Sequence, residues 1–116
     1  REHQQRERRR VTELPEWEPI TDACRLNRAG QRVRGPRGDV PLRGREFRML
    51  VYLLANPMTV VSRERLLVAA WGQEYGADIR EVDRYIHTLR VKVELDPRRP
   101  RCLLTRQLEG YLYQPP

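Results

Sequence analysis

At Leu42 the apolar residues change period, and that switch limits what this chain can fold into. From residue 15 to 42 they come in short pieces: Trp17 to Ile20, Cys24 to Leu26, Gln31 to Arg34 and Val40 to Leu42. Asn27-Arg28-Ala29-Gly30 and Gly35-Pro36-Arg37-Gly38-Asp39 stand between them. Pieces this short, closed by Gly, Pro, Asn and Asp, predict a meander of small antiparallel strands, and Pro19, Pro36 and Pro41 exclude a long helix. Past Leu42 the spacing becomes helical. Phe47, Leu50, Val51 and Leu54 follow i, i+3, i+4, i+7 until Asn56-Pro57 ends the segment. An extended piece, Thr59 to Val61, leads to Ser62, a good N-cap. The helix that follows turns Leu66, Leu67, Ala70 and Trp71 inward and stops at Gly72. After a loop from Gln73 to Ala77, a third helix runs from about Ile79 to Leu95, where Pro97 closes it. Cys102 to Thr105 and Tyr111 to Tyr113 predict a hairpin with Gln107 to Gly110 at its tip.

The expected fold is therefore α+β: a small N-terminal antiparallel sheet, three helices at 44–55, 63–71 and 79–95, and a C-terminal β-hairpin at 102–113. Phe47, Leu50, Leu54, Leu66, Trp71, Val82, Ile86 and Leu89 are expected to share one core. A chain of 116 residues accommodates one such core and not two. The expected division is a charged linker or tail at 1–14 (REHQQRERRRVTEL) and a folded domain at 15–116. The chain opens on Arg1 rather than Met, as a piece of a longer protein would. No apolar run approaches the roughly 20 residues needed to cross a bilayer, and no signal-like stretch opens the chain. A cytoplasmic protein with no membrane partner is expected.

The charge points to a polyanion. Of 23 basic residues 22 are arginine, Lys92 being the exception, and the net charge is +7. Each phosphate neutralised by such a surface releases counterions. Composition alone does not separate that reading from an arginine-biased surface that merely stays wet. The third helix sharpens it. With Val82 at zero and 100° per residue, Ile86, Leu89 and Val93 fall within about 40° of zero, a stripe that must face a core. Arg80, Arg84, His87, Thr88 and Val91 lie opposite, with Asp83 and Arg90 flanking them. A helix with a basic outer face, followed by a hairpin, is how helix-turn-helix proteins present base-reading side chains.

Other chemistry finds little support. Cys24 and Cys102 form no C-x-x-C pair and read as small buried hydrophobes in a reducing compartment. His3 and His87 lie far apart, so neither a metal nor a cofactor is expected. No paired-carboxylate cleft, nucleophile-base arrangement or phosphate loop is present to argue for an enzyme. A domain of the same architecture whose third helix docks on a protein partner remains the rival, since Tyr85 and Val91 suit a mixed interface and Glu109 disfavours a phosphate backbone.

From Leu42 to Tyr113 the chain resembles the C-terminal effector domain of OmpR/PhoB-type response regulators. The resemblance rests on Leu42-x-x-x-Glu46-Phe47-x-x-Leu50 and Val60-Val61-Ser62-Arg63-Glu64-x-Leu66-Leu67-x-x-x-Trp71-Gly72. It continues through Arg80-x-Val82-Asp83-x-x-Ile86-x-x-Leu89-Arg90-x-Lys92, Asp96-Pro97, Thr105 and Gly110-Tyr111. It implies a winged helix-turn-helix of a two-component transcription regulator, which binds double-stranded DNA as tandem copies with the third helix in the major groove. The hairpin is then the wing, near the minor groove. It further implies RNA polymerase as a partner through the 55–62 loop, and an upstream receiver-like regulatory domain. Asp83, Arg84, His87 and Thr88 are the expected base readers. Arg80, Arg90, Lys92, Thr105, Arg106 and Gln107 are expected at phosphates or in the wing. In the wing the family's usual Arg-Gly-x-Gly-Tyr is replaced by Gln107-Leu108-Glu109-Gly110-Tyr111.

Overall fold

The computed structural model describes residues 16–73 and 76–116; the expected charged tail at 1–14 lies outside them. Four short strands come first, β1 (Glu18–Thr21), β2 (Cys24–Asn27), β3 (Arg32–Gly35) and β4 (Gly38–Pro41). They pair antiparallel in the order β1-β2-β3-β4, the meander that the turn residues predict. Pro19 and Pro41 both sit on edge strands, where a missing N–H costs no ladder bond. Alternation sets the inner face: Cys24 and Leu26 of β2 and Val33 of β3 are buried, while Arg25 and Arg34 point to solvent.

Three helices follow, α1 (Gly44–Ala55), α2 (Arg63–Trp71) and α3 (Arg80–Val93), and a hairpin of β5 (Leu103–Arg106) and β6 (Gly110–Tyr113) closes the chain. Ser62 caps α2 as its side chain predicts, its hydroxyl accepting the Arg65 N–H at 3.2 Å. Gly72 ends that helix with φ +68°. The extended piece before Ser62 is used as a third rung of the hairpin. Val61 and Tyr111 exchange backbone hydrogen bonds at 2.7 and 2.9 Å. Gly110 is required there, because a Cβ would stand 2.0 Å from the Val61 carbonyl oxygen.

Leu50, Leu66, Trp71, Val82, Ile86 and Leu89 are buried together, as expected, with Met49, Leu53, Val61, Val93, Leu103 and residues of the sheet. Cys24 and Cys102 are buried free thiols. Two expectations need correction. Phe47 and Leu54 are only partly buried, because α1 turns Glu46, Met49, Leu50 and Leu53 inward instead. Apolar residues occupy more than one face of α1, so its period alone left the buried face undecided. Phe47, Val51, Tyr52 and Ala55 instead line an open groove of about 600 Å³ against Val68 and Ala69 of α2. The third helix also stops at Val93 rather than Leu95, since Glu94 is extended (ψ 144°) and sends its carboxylate into the chain that follows.

Replacing Ile86, fully buried on α3, with Ala is expected to cost about 2–5 kcal/mol by urea unfolding. A loss below about half a kcal/mol would mean that α3 does not bury this face.

Candidate nucleic-acid interface

The candidate interface is α3 with the hairpin beside it. Val82, Ile86, Leu89 and Val93 are sealed in the core, which turns Arg80, Arg84 and His87 outward. Glu81 and Asp83 stand in the first turn and Arg90 and Lys92 in the last, the charge order that suits the helix dipole. The C-terminal end is pinned to the sheet. Thr21 Oγ1 donates to the Val93 carbonyl at 2.8 Å, and Arg37 donates to the carbonyls of Glu94 and Leu95 at 3.2 and 3.3 Å. The bonds to Val93 and Glu94 satisfy carbonyls that the helix end leaves open.

The expected site residues divide into two groups. Arg80, Arg84 and His87 are exposed on α3, and Thr105, Arg106 and Gln107 are exposed on the hairpin. Arg80 Nη2 lies 2.6 Å from Asp78 Oδ2, and Arg84 pairs with Glu81 one turn back. Both ion pairs lie at the surface, where such pairs hold weakly and leave the arginines available. No described residue hydrogen-bonds to the His87 ring. The others are committed within the fold. Thr88 Oγ1 donates to Glu46 Oε2 at 2.7 Å, and Lys92 Nζ donates to Glu46 Oε1 at 2.7 Å and to the Pro41 carbonyl at 3.0 Å. Arg90 donates to the Leu103 carbonyl at 2.9 Å and to Thr105 Oγ1 at 2.8 Å. Asp83 accepts Arg63 Nε at 2.8 Å and the Tyr111 hydroxyl.

Three carboxylates hold this frame, and their role was not readable from residue type. Glu46 is 2 % exposed and also accepts the Arg43 N–H at 2.9 Å. Burial by itself raises its pKa. The bonds from Lys92, Arg43 and Thr88 together outweigh that effect and hold the carboxyl below the ordinary glutamate value. Glu94 accepts the N–H groups of Arg101, Cys102 and Leu103 at 3.1, 3.0 and 2.7 Å, which fixes where the hairpin begins. Asp83 joins α3 to α2 and to β6. Burial raises its pKa, and Tyr111 and Arg63 more than offset the rise. Tyr111 itself is pushed up to about 12, first by burial and then by donating to Asp83. The guanidinium groups of Arg63 and Arg90 lie 5.4 and 5.6 Å from its ring centroid. The only sequence signal for this brace was the co-occurrence of Arg63, Asp83 and Tyr111 among the family-like positions.

The family described as "Transcriptional regulatory protein, C terminal" matches residues 37–113. The chain belongs to this family, the OmpR/PhoB-type C-terminal effector domains, and the three helices, four-stranded sheet and terminal hairpin of the described residues are those of a winged helix. The response regulator DrrB of Thermotoga maritima, an OmpR/PhoB homolog, is similar at 30 % identity and a TM-score of 0.72, over 93 % of this chain and 48 % of that one. This chain thus spans about half the length of DrrB. The DNA-binding domain of Klebsiella pneumoniae RstA, solved in complex with the RstA box, is 25 % identical with a TM-score of 0.68, over 86 % of this chain and 98 % of that one. The DNA-binding domain of Bacillus subtilis CssR is 25 % identical with a TM-score of 0.67, covering 79 % of this chain and 100 % of that one.

A glutamate whose folded pKa is depressed stabilises the fold above its unfolded pKa, and that contribution is lost as pH falls through the folded value. Glu46→Gln is therefore expected to cost about 1–3 kcal/mol at neutral pH, with the gap to the parent narrowing in acid. Urea unfolding of both proteins across the acid range checks it; a gap independent of pH would exclude an ionised Glu46.

Proposed function

We propose that this chain is the DNA-binding part of a bacterial transcription regulator, and that it binds duplex DNA sequence-specifically. In this reading α3 lies in the major groove, with the β5–β6 hairpin beside the adjacent minor groove. The observation that carries it is one helix that seals Val82, Ile86, Leu89 and Val93 in the core while presenting Arg80, Arg84 and His87 to solvent. Family membership supports it, as do two relatives that are DNA-binding domains.

Arg84 and His87 read bases, with Thr88 at the edge of their surface. Arg84 has the planar fork that matches guanine O6 and N7, and it leaves its surface pair with Glu81 to reach them. Arg80 and Arg106 meet phosphates, which position the protein without specifying sequence. Asp83 acts through Arg63 and Tyr111 by holding the reading face and the wing together, so it is a positioning residue. Arg90 and Thr105 do the same for β5, and Lys92 supports α3 from beneath. Gln107 stands at the wing where the family's arginine is usual, and it donates to base edges in the minor groove.

The longer protein has a receiver-like domain upstream, since a regulator matched over one half of its length carries a second half. It works in the cytoplasm, and tandem copies occupy adjacent sites. RNA polymerase meets the 55–62 loop. That loop exposes Met58 (60 %, at φ +59°) and Val60, an apolar pair suited to a protein surface.

Selection from a random duplex library is expected to return one motif and its repeat spacing. On that motif Arg84→Ala should lose about 1–3 kcal/mol of discrimination at one base pair. Arg80→Ala should weaken matched and mismatched duplexes alike and reduce the salt slope by about one. Equal weakening of both duplex classes by Arg84→Ala would remove its base-reading role, and binding insensitive to salt would favour a protein partner.

A further inference from the structure

Among the described residues three carboxylates stand at the N-terminal end of α3, and they differ in what holds them. Asp78 accepts the backbone N–H of Arg80 at 2.9 Å as well as its guanidinium, so the start of the helix keeps it occupied. Asp83 is shared by Arg63 and the Tyr111 hydroxyl, both inside the frame of the domain. Glu81 has neither kind of anchor. Among the described residues its carboxylate is bonded only to Arg84, one turn further on and on the same side of the helix. Its side chain is 32 % exposed, so it sits part-way into the surface rather than free in water. A first-turn carboxylate suits the helix dipole, and that accounts for an acid at this end of α3. It does not account for an acid whose donor is the arginine that leaves for guanine. Once Arg84 moves, a half-covered carboxylate is left beside a polyanion with no donor. That state is costly unless the duplex itself supplies one.

We infer that Glu81 is a specificity-determining residue that accepts a hydrogen bond from the N4 amino group of cytosine, at the base pair next to the guanine met by Arg84. This role rests on the DNA-binding reading above and adds a second base to it. A carboxylate can only accept, and the major-groove edges offer it cytosine N4 and adenine N6 as donors. Adenine places the acceptor N7 beside its N6, which repels a carboxylate, whereas cytosine presents N4 without such a neighbour. Guanine and thymine present acceptors there and are rejected by the same charge. Residues 81 and 84 are separated by about 4.5 Å along the helix, close to the roughly 3.4 Å between stacked bases. The two side chains therefore reach neighbouring base pairs. The exchange leaves no group unmatched: Arg84 trades Glu81 for guanine O6 and N7, and Glu81 trades Arg84 for cytosine N4.

The test is selection from a random duplex library with the parent, Glu81→Ala and Glu81→Gln. Competition between the selected duplex and its single-base variants follows, with thermal melting alongside. The parent is expected to select cytosine next to the guanine position and to prefer it about tenfold over guanine and thymine. Glu81→Ala should reduce that preference to about twofold or less while keeping the guanine preference. It should also bind mismatched duplexes more tightly, because a repelling charge is gone. Glu81→Gln should admit adenine, whose N6 and N7 match an amide. Both variants should melt close to the parent, since neither touches the core. A parent motif without that cytosine, or one that both substitutions leave unchanged, overturns the inference while leaving the DNA-binding reading intact. A loss confined to the guanine position makes Glu81 a prop for Arg84 and overturns it as well. A parent that selects no motif removes the underlying reading, and this role with it.

Discussion

Glu46 brings a negative charge into a place almost closed to water, where an unpaired carboxylate would be too costly to keep. It is kept because three donors converge on it from two elements: the Arg43 N–H at the start of its own helix, and Thr88 and Lys92 on α3. Thr88 and Lys92 are four residues apart, one helical turn, so a single carboxylate grips one edge of α3 at two levels. An apolar stripe tolerates small rotations, since dispersion contacts have little directionality. Hydrogen bonds to a charge do not. The stripe therefore decides which side of α3 is inside, and Glu46 decides its angle. The direction in which Arg84 and His87 point depends on both.

The second constraint is the bracing of the hairpin. A two-stranded hairpin is marginal by itself. Here β6 pairs with Val61, the Tyr111 hydroxyl reaches Asp83, and Arg90 reaches across to β5. Glu94 gathers three consecutive N–H groups at the point where the chain leaves α3 for the hairpin. Helix and hairpin are thus tied to each other at several points. A surface made of both presents a fixed geometry, and a protein that contacts two grooves at once needs such a geometry.

Charge is distributed in keeping with this division. Carboxylates of the kind that repel a polyanion are committed to structure, Asp83 with Arg63 and Tyr111, and Glu94 with backbone N–H groups. Among the described residues, the arginines left outward on α3 are held by surface pairs with Asp78 and Glu81. Such pairs exchange readily for a phosphate or a base edge, because solvent screens them and their geometry is loose.

The sequence by itself determined the order of elements, the helix boundaries to within two residues, and the face of α3 that enters the core. Those properties follow from local periodicity and from turn and cap residues such as Ser62, Gly72 and Asn56-Pro57, which act within a few positions of themselves. The outward placement of Arg80, Arg84 and His87 follows from the same period. The buried face of α1 did not. Its apolar residues serve both the core and the groove beside α2, so Phe47 and Leu54 looked as internal as Leu50, and only the packing of α2 and α3 chose between them. The commitments of Asp83, Thr88, Arg90 and Lys92 were equally hidden. A polar side chain on a helix flank carries the same signature whether it will meet DNA or a partner 13 to 51 residues away. Only the tertiary structure brings Arg63 to Asp83 and Glu46 to Lys92, because those bonds join segments whose separation in sequence carries no periodic trace.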